Sequence, residues 1–122
     1  MSDPGLLPPR LAISIESAGW GVARAYTEDL DWWADEIWEL NSRWSPEGAV
    51  AFITFLVDPF WERPREKWQH VWAVGCSALL PTTRIEAERG GVLRWRSSRA
   101  ELESFVARLN RFRGAVPVDG AV

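Results

Sequence analysis

Leu11, Ile13 and Ile15 alternate with Ala12, Ser14 and Glu16, the period of two expected of a strand with one buried face. Ser17-Ala18-Gly19 offers a turn. Beyond it Trp20, Val22, Arg24 and Tyr26 alternate with Gly21, Ala23 and Ala25, so a hairpin return strand is expected there. The period then changes. Leu30, Trp33, Ile37, Leu40 and Trp44 recur at spacings of three and four, which predicts one apolar stripe of a helix. Thr27 stands where it can cap that helix, and Glu28, Asp29 and Asp31 follow at the positive end of its dipole.

Ser45-Pro46-Glu47-Gly48 closes the stripe. Ala49 to Val57 is nearly all apolar, with Val50, Phe52 and Leu56 on one face and Ala51, Ile53, Phe55 and Val57 on the other. Such a run predicts a central strand covered on both sides. A polar stretch from Asp58 to Lys67, broken by Pro59 and Pro64, separates it from a strand pattern over Trp68 to Cys76, and these two strands are expected to pair antiparallel. A short helix is expected from Thr83. Val92 to Arg96 reads as a last strand with Leu93 and Trp95 turned inward. Ser98 and Glu101 form a capping box for a final helix striped by Leu102, Phe105, Val106, Leu109 and Phe112. Arg108, Arg111 and Arg113 lie at its negative end, and Gly114 can stop it.

The predicted fold class is α+β: an antiparallel or mixed sheet of about five strands with two main helices packed on it, in the order β-β-α-β-β-β-α. The expected organisation is an N-terminal arm over residues 1–9, one α+β domain over 10–114 and a flexible tail over 115–122. A chain of 122 residues is near the commonest domain size, and no internal repeat or low-complexity segment divides it.

Composition changes this picture in three ways. Nine tryptophans, each burying roughly 150 to 250 Å², mostly fall on predicted buried faces and concentrate the core in few side chains. The one cysteine, Cys76, excludes an intramolecular disulfide, and no secretory n-region or long apolar run is present, so a cytoplasmic location without membrane insertion is expected. The net charge of −3 argues against a nucleic-acid partner. The charge is uneven: residues 1–59 hold ten acids and three bases, residues 60–122 seven acids and eleven bases. Either the two halves attract each other, or a polarised surface steers a partner.

Candidate chemistry is sparse. His70, the one histidine, shares its predicted strand face with Trp68, Trp72, Val74 and Cys76. It reads either as a packed histidine or as a general base whose pKa burial moves, and Trp68, His70 and Trp72 together form an alternative site for a flat small-molecule ligand. Six strand residues put Cys76 about 20 Å from His70, too far for a dyad. One histidine and one cysteine do not make a zinc site. Glu28, Asp31 and Asp35, with Glu39 close by, would share a helix face, but no glycine-containing calcium loop accompanies them, so a solvated face is expected and no metal or other cofactor. No phosphate loop or serine elbow occurs. Asp58, Glu62 and Glu66 lie in a proline-stiffened loop better suited to binding than to acid/base work.

Trp32 stands out because a helix at about 100° per residue turns it away from the Leu30/Ile37 stripe, among Glu28, Glu36 and Glu39. It is either covered by another segment or an exposed interface anchor. Trp38 flanks the same stripe. The partner-binding residues expected are therefore Trp32, Glu28, Asp35, Glu36 and Glu39 with Trp61, Glu62 and Arg63 of the loop. They describe a small non-enzymatic module that binds a protein partner or a second copy of itself. Size and acidity would suit an immunity or antitoxin type of protein, an analogy at that level only. The alternative is an enzyme or small-ligand binder using the His70/Trp68/Trp72 face. Arg94, Arg96 and the arginines of the last helix define a third, RNA-binding, reading.

Overall fold

A computed structural model describes residues 9–42, 50–62 and 70–113. Its elements run α1 (Pro9–Ser17), β1 (Trp20–Tyr26), β2 (Ala34–Ser42), β3 (Val50–Val57), β4 (Val71–Ser77), α2 (Arg84–Ala87), β5 (Gly91–Arg94) and α3 (Arg99–Arg113). The strands form one five-stranded sheet in the order β1-β2-β3-β4-β5, every neighbouring pair antiparallel. The architecture is α+β, and its element order differs from the expected one by opening on a helix.

Two segments exchange types. Leu11 to Ile15 is helical, because Leu11 and Ile15 are one helical turn apart and both buried, while Ile13 between them is 63% exposed. A strand would have placed all three on one face. Pro at the first helical position suits a helix start. Gly19 follows the helix with a φ of 97° and donates its N–H to Glu16 O, the left-handed cap that favours glycine.

The expected helix at Leu30–Trp44 is in fact a turn and strand β2 over its described part. Trp38 and Leu40 face one side of the sheet, opposite Ile53 and Ala51 of β3. Ile37 faces the other side, opposite Thr54, and a register shift between Ala34 and Glu36 carries Ala34 onto Ile37's side. Because β2 is buried on both faces, its apolar residues lose the alternation of a one-faced strand, and Ile37 and Leu40, on opposite faces, fall at a spacing of three that imitates a helix. Trp44 lies outside the described residues. The expectation for β3 holds: Phe52 and Leu56 enter one cluster, Ala51, Ile53 and Phe55 the other.

The larger cluster lies between the sheet and the pair α1 and α3. Leu11 and Ile15 of α1 and Leu102, Phe105 and Leu109 of α3 pack there with Trp20, Trp38, Phe55, Val74 and Leu93. Trp38 meets Phe55 edge-on with centroids 4.9 Å apart, and Trp20 Nε1 donates to Asn110 Oδ1 at 2.9 Å, tying β1 to α3. The smaller cluster on the opposite face contains Trp33, Ala34, Ile37, Phe52, Leu56, Ala73 and Ala87 of α2. Here α2 comes so close that a Cβ on Gly75 would collide with the Ala87 carbonyl oxygen.

The short helix expected from Thr83 and the Ser98–Glu101 capping box are both present. Thr83 Oγ1 accepts from Glu86 N–H at 3.1 Å. Ser98 Oγ accepts from Glu101 N–H while Glu101 Oε1 accepts from Ser98 N–H, at 3.1 and 2.9 Å, completing the capping box. Among the described residues no helix is long and apolar enough to cross a membrane.

Candidate functional site

An antiparallel sheet of consecutive neighbours brings alternate connections to the same end. The β1–β2 turn and the two ends of the β3–β4 connection therefore lie side by side, tied by three contacts. Val57 N–H donates to Trp33 O at 3.0 Å, and Asp58 N–H donates to His70 O at 2.7 Å. His70 Nε2 meets Asp35 Oδ1 at 2.5 Å. With Asp35 ionised its oxygens only accept, so Nε2 carries the hydrogen.

Asp35 reaches His70 because it sits at the β2 bulge, where the register with β3 shifts between Ala34 and Glu36; bulges re-aim side chains in this way. His70 is 4% exposed and stands just before β4. The Trp61 ring lies 6.4 Å from its imidazole, tilted by 55°. The expectation that His70 shares a strand face with Trp72, Val74 and Cys76 is corrected. Leu56 pairs with Ala73 and Val57 with Val71, so Trp72 is an extra residue in β4. It joins the smaller cluster, whereas Val74 and Cys76 join the larger. Trp72 carries Arg84 5.7 Å above its ring. Trp68 lies outside the described residues.

Two aromatic side chains project from this end. Trp32 is 57% exposed and Phe60 83% exposed, with Trp61 half-buried beside them in sequence. The turn holding Phe60 is fixed by Asp58, whose Oδ1 accepts from Phe60 N–H at 2.9 Å and whose carbonyl accepts from Trp61 N–H at 3.1 Å. Asp29 has a φ of 61° in the neighbouring turn, a conformation that Asp tolerates better than most residues. Glu28, Asp29, Asp31 and Glu62 are all exposed.

The expected acidic helix face does not exist. Glu28 and Asp31 are on the turn, and Asp35 points to His70. Glu36 and Glu39 fall on opposite faces of β2, opposite Phe55 and Phe52 respectively. Glu36 Oε2 accepts from Trp38 Nε1 at 2.7 Å, and Glu39 Oε1 accepts from Tyr26 Oη at 2.9 Å, so both serve the packing of aromatics. Trp38 is buried rather than part of a surface patch. Among the described residues no three His, Cys, Asp or Glu side chains converge to hold a metal ion. Arg63 lies outside the described residues, as do Glu66 and Lys67.

Among the described residues the ion pairs are His70 with Asp35, Arg84 with Glu88 and Arg99 with Glu103, the last two within one helical segment. Among the described residues no arginine of the second half pairs with Glu28, Asp29, Asp31, Asp58 or Glu62. Cys76 is buried in the larger cluster, and burial, partly offset by Arg108, pushes its thiol up to about 12, which makes it inert as a nucleophile at neutral pH. A groove of about 400 Å³ between α1 and α3, lined by Ile13, Ser14, Arg99, Val106 and Asn110 among others, contains none of the expected site residues.

Of the residues singled out from the sequence, the fold brings Asp35, His70 and Trp61 together, places Trp32, Glu28 and Glu62 on the turns at the same end of the sheet, and turns Glu36, Glu39 and Trp72 to other packing. Phe60 was not singled out. Its signal was there to use: a large aromatic directly after Asp-Pro, where a turn turns side chains outward. Comparison of the chain with protein families, with characterised proteins and with solved structures finds no match.

Proposed function

We propose that the chain is a non-enzymatic module that binds a protein partner through the sheet end formed by the Trp32 and Phe60–Trp61 turns. One observation carries the reading: two large aromatic side chains, Trp32 and Phe60, stand in water on adjacent turns that Asp35 and His70 hold together. Large exposed aromatics cost solvation. Aromatic residues so placed, in a polar rim, match the centre of a protein interface.

A second exposed apolar group, Leu79, Leu80 and Ile85 around α2, competes with this assignment and supplies the control. The test is quantitative capture of binding partners with wild type and with folded Trp32→Ala, Phe60→Ala and Ile85→Ala variants. The reading expects one partner retained by Ile85→Ala and lost by the first two. Retention by all three, or loss only with Ile85→Ala, would refute it.

A second reading, an enzyme or small-ligand binder centred on His70, is favoured by the short contact to Asp35, which resembles the carboxylate that orients a general-base imidazole. His70→Ala separates the two. Loss of a ligand-dependent activity with partner capture intact supports the second reading.

A further inference from the structure

We infer that the layer between α2 and the sheet binds a neutral hydroxyl-bearing molecule, water or a small phenol, through Thr54 Oγ1 and Trp72 Nε1. Both atoms are buried and meet no hydrogen-bond partner among the described residues. Folded proteins rarely leave such groups unsatisfied, because each then keeps its full desolvation cost. The two lie on one side of the sheet. Thr54, 0% exposed, stands in β3 opposite Ile37 of β2, and directly opposed residues share a face. Ile37 belongs to the smaller cluster, and Trp72 packs against that same cluster.

α2 spans the two points. Its first residue, Arg84, lies over the Trp72 ring, and its last, Ala87, sets its carbonyl oxygen against Gly75, the β4 partner of Thr54. The helix covers this ground with four residues, of which Ala87 is buried and Ile85 is 74% exposed. The chemistry of the two atoms selects the occupant. An indole N–H only donates, whereas a threonine hydroxyl donates and accepts. What suits both is an oxygen that accepts from Trp72 and either accepts from Thr54 or donates to it. A cation offers no acceptor. An anion would accept, but Phe52, Leu56 and Ala73 make the layer apolar, where charge is costly, and Arg84 already pairs with Glu88 at 3.1 Å. A neutral hydroxyl meets both demands, as water does in many protein interiors. A small phenol presents the same oxygen on a flat apolar body, which suits a cluster built with Trp33 and Phe52.

The experiment compares crystals of the full-length protein grown with and without phenol, and titrates phenol into isotopically labelled protein, with toluene as a control of similar shape that forms no hydrogen bond. Expected is an ordered oxygen about 3 Å from each of the two atoms. Where water is the source, it is present without phenol, and phenol shifts no resonance of the layer. Where a phenol is the source, its oxygen takes that place, and the Trp72 indole N–H and the Gly75 and Ala87 amides shift with phenol but not with toluene. Thr54→Val keeps the shape of the side chain and removes the hydroxyl; it should lose the oxygen at position 54 and weaken phenol binding by about tenfold or more. Thr54→Ser, which restores the hydroxyl, should retain both. Three results would overturn the inference: no oxygen at either atom, a Thr54 hydroxyl and Trp72 indole bonded to protein groups instead, or an oxygen that stays in place in a folded Thr54→Val variant.

Discussion

The molecule uses the same kind of side chain in two opposite ways. Beneath α1 and α3, Trp20, Trp38, Phe55 and Phe105 are buried, and the indole N–H groups of Trp20 and Trp38 are both satisfied, by Asn110 and Glu36. At the end of the sheet carrying the β1–β2 turn, Trp32 and Phe60 are exposed, on turns that also carry exposed carboxylates. Apolar area removed from water stabilises the fold at about 25 cal/mol per Å²; area left in water does not. On the proposed function the first group serves stability and the second recognition, and the two properties can then be changed separately.

The largest effect should come from truncating the buried group. Phe55 lies fully buried in β3, edge-on to Trp38 and near Trp95, and Phe55→Ala should cost about 3–5 kcal/mol in chemical denaturation. A cost below about 1 kcal/mol would mean that the face under α1 and α3 is not the principal core. Gly75→Ala probes the opposite face. Its Cβ meets a backbone carbonyl of α2, which cannot rotate away, so about 1–3 kcal/mol of destabilisation is expected together with displacement of α2. An unchanged melting temperature would show that α2 is only loosely seated.

The polar tie between the two turns should matter at an intermediate level. Asp35→Ala takes from the buried His70 imidazole its Asp35 acceptor, at a cost of about 1–3 kcal/mol. Amide exchange should rise in Asp58–Glu62 more than in α3. Equal acceleration everywhere would mean that the pair supports the whole fold and not the two turns. The smallest effect is at α2. Hydrogen bonds from the Thr82 backbone N–H and hydroxyl hold the Glu86 carboxyl below its ordinary value of 4.5. A folded pKa lowered in this way contributes stability that is present above about pH 4.5 and is lost as pH falls through the folded value. Glu86→Gln should therefore narrow the gap to wild type on acidification below that range, and a gap constant down to pH 2 would contradict the cap.

Legibility followed the physics of each segment. The run from Val50 to Val57, the short helix from Thr83 and the Ser98–Glu101 capping box carry local signals that tertiary context does not alter, and each was legible in the sequence. Leu11–Ile15 is too short for its period to decide, since residues 11 and 15 share a face in a helix and also in a strand; only the exposure of Ile13 separates the two. For β2 the sequence misled, because burial on both faces erases alternation and sets Ile37 and Leu40, on opposite faces, at a helical spacing. The site was legible in fragments. Trp32, Trp61 and His70 each stood out, but Asp35 and His70 are far apart in sequence, and their meeting depends on the antiparallel order of β2, β3 and β4.

The most direct test of the separation between stability and recognition is a Trp32→Ala/Phe60→Ala double variant, measured for thermal unfolding and for partner affinity in the same preparation. The account predicts a stability within about 0.5 kcal/mol of wild type and an affinity loss of about 2 kcal/mol or more. A variant that unfolds several degrees earlier while keeping its partner would contradict it.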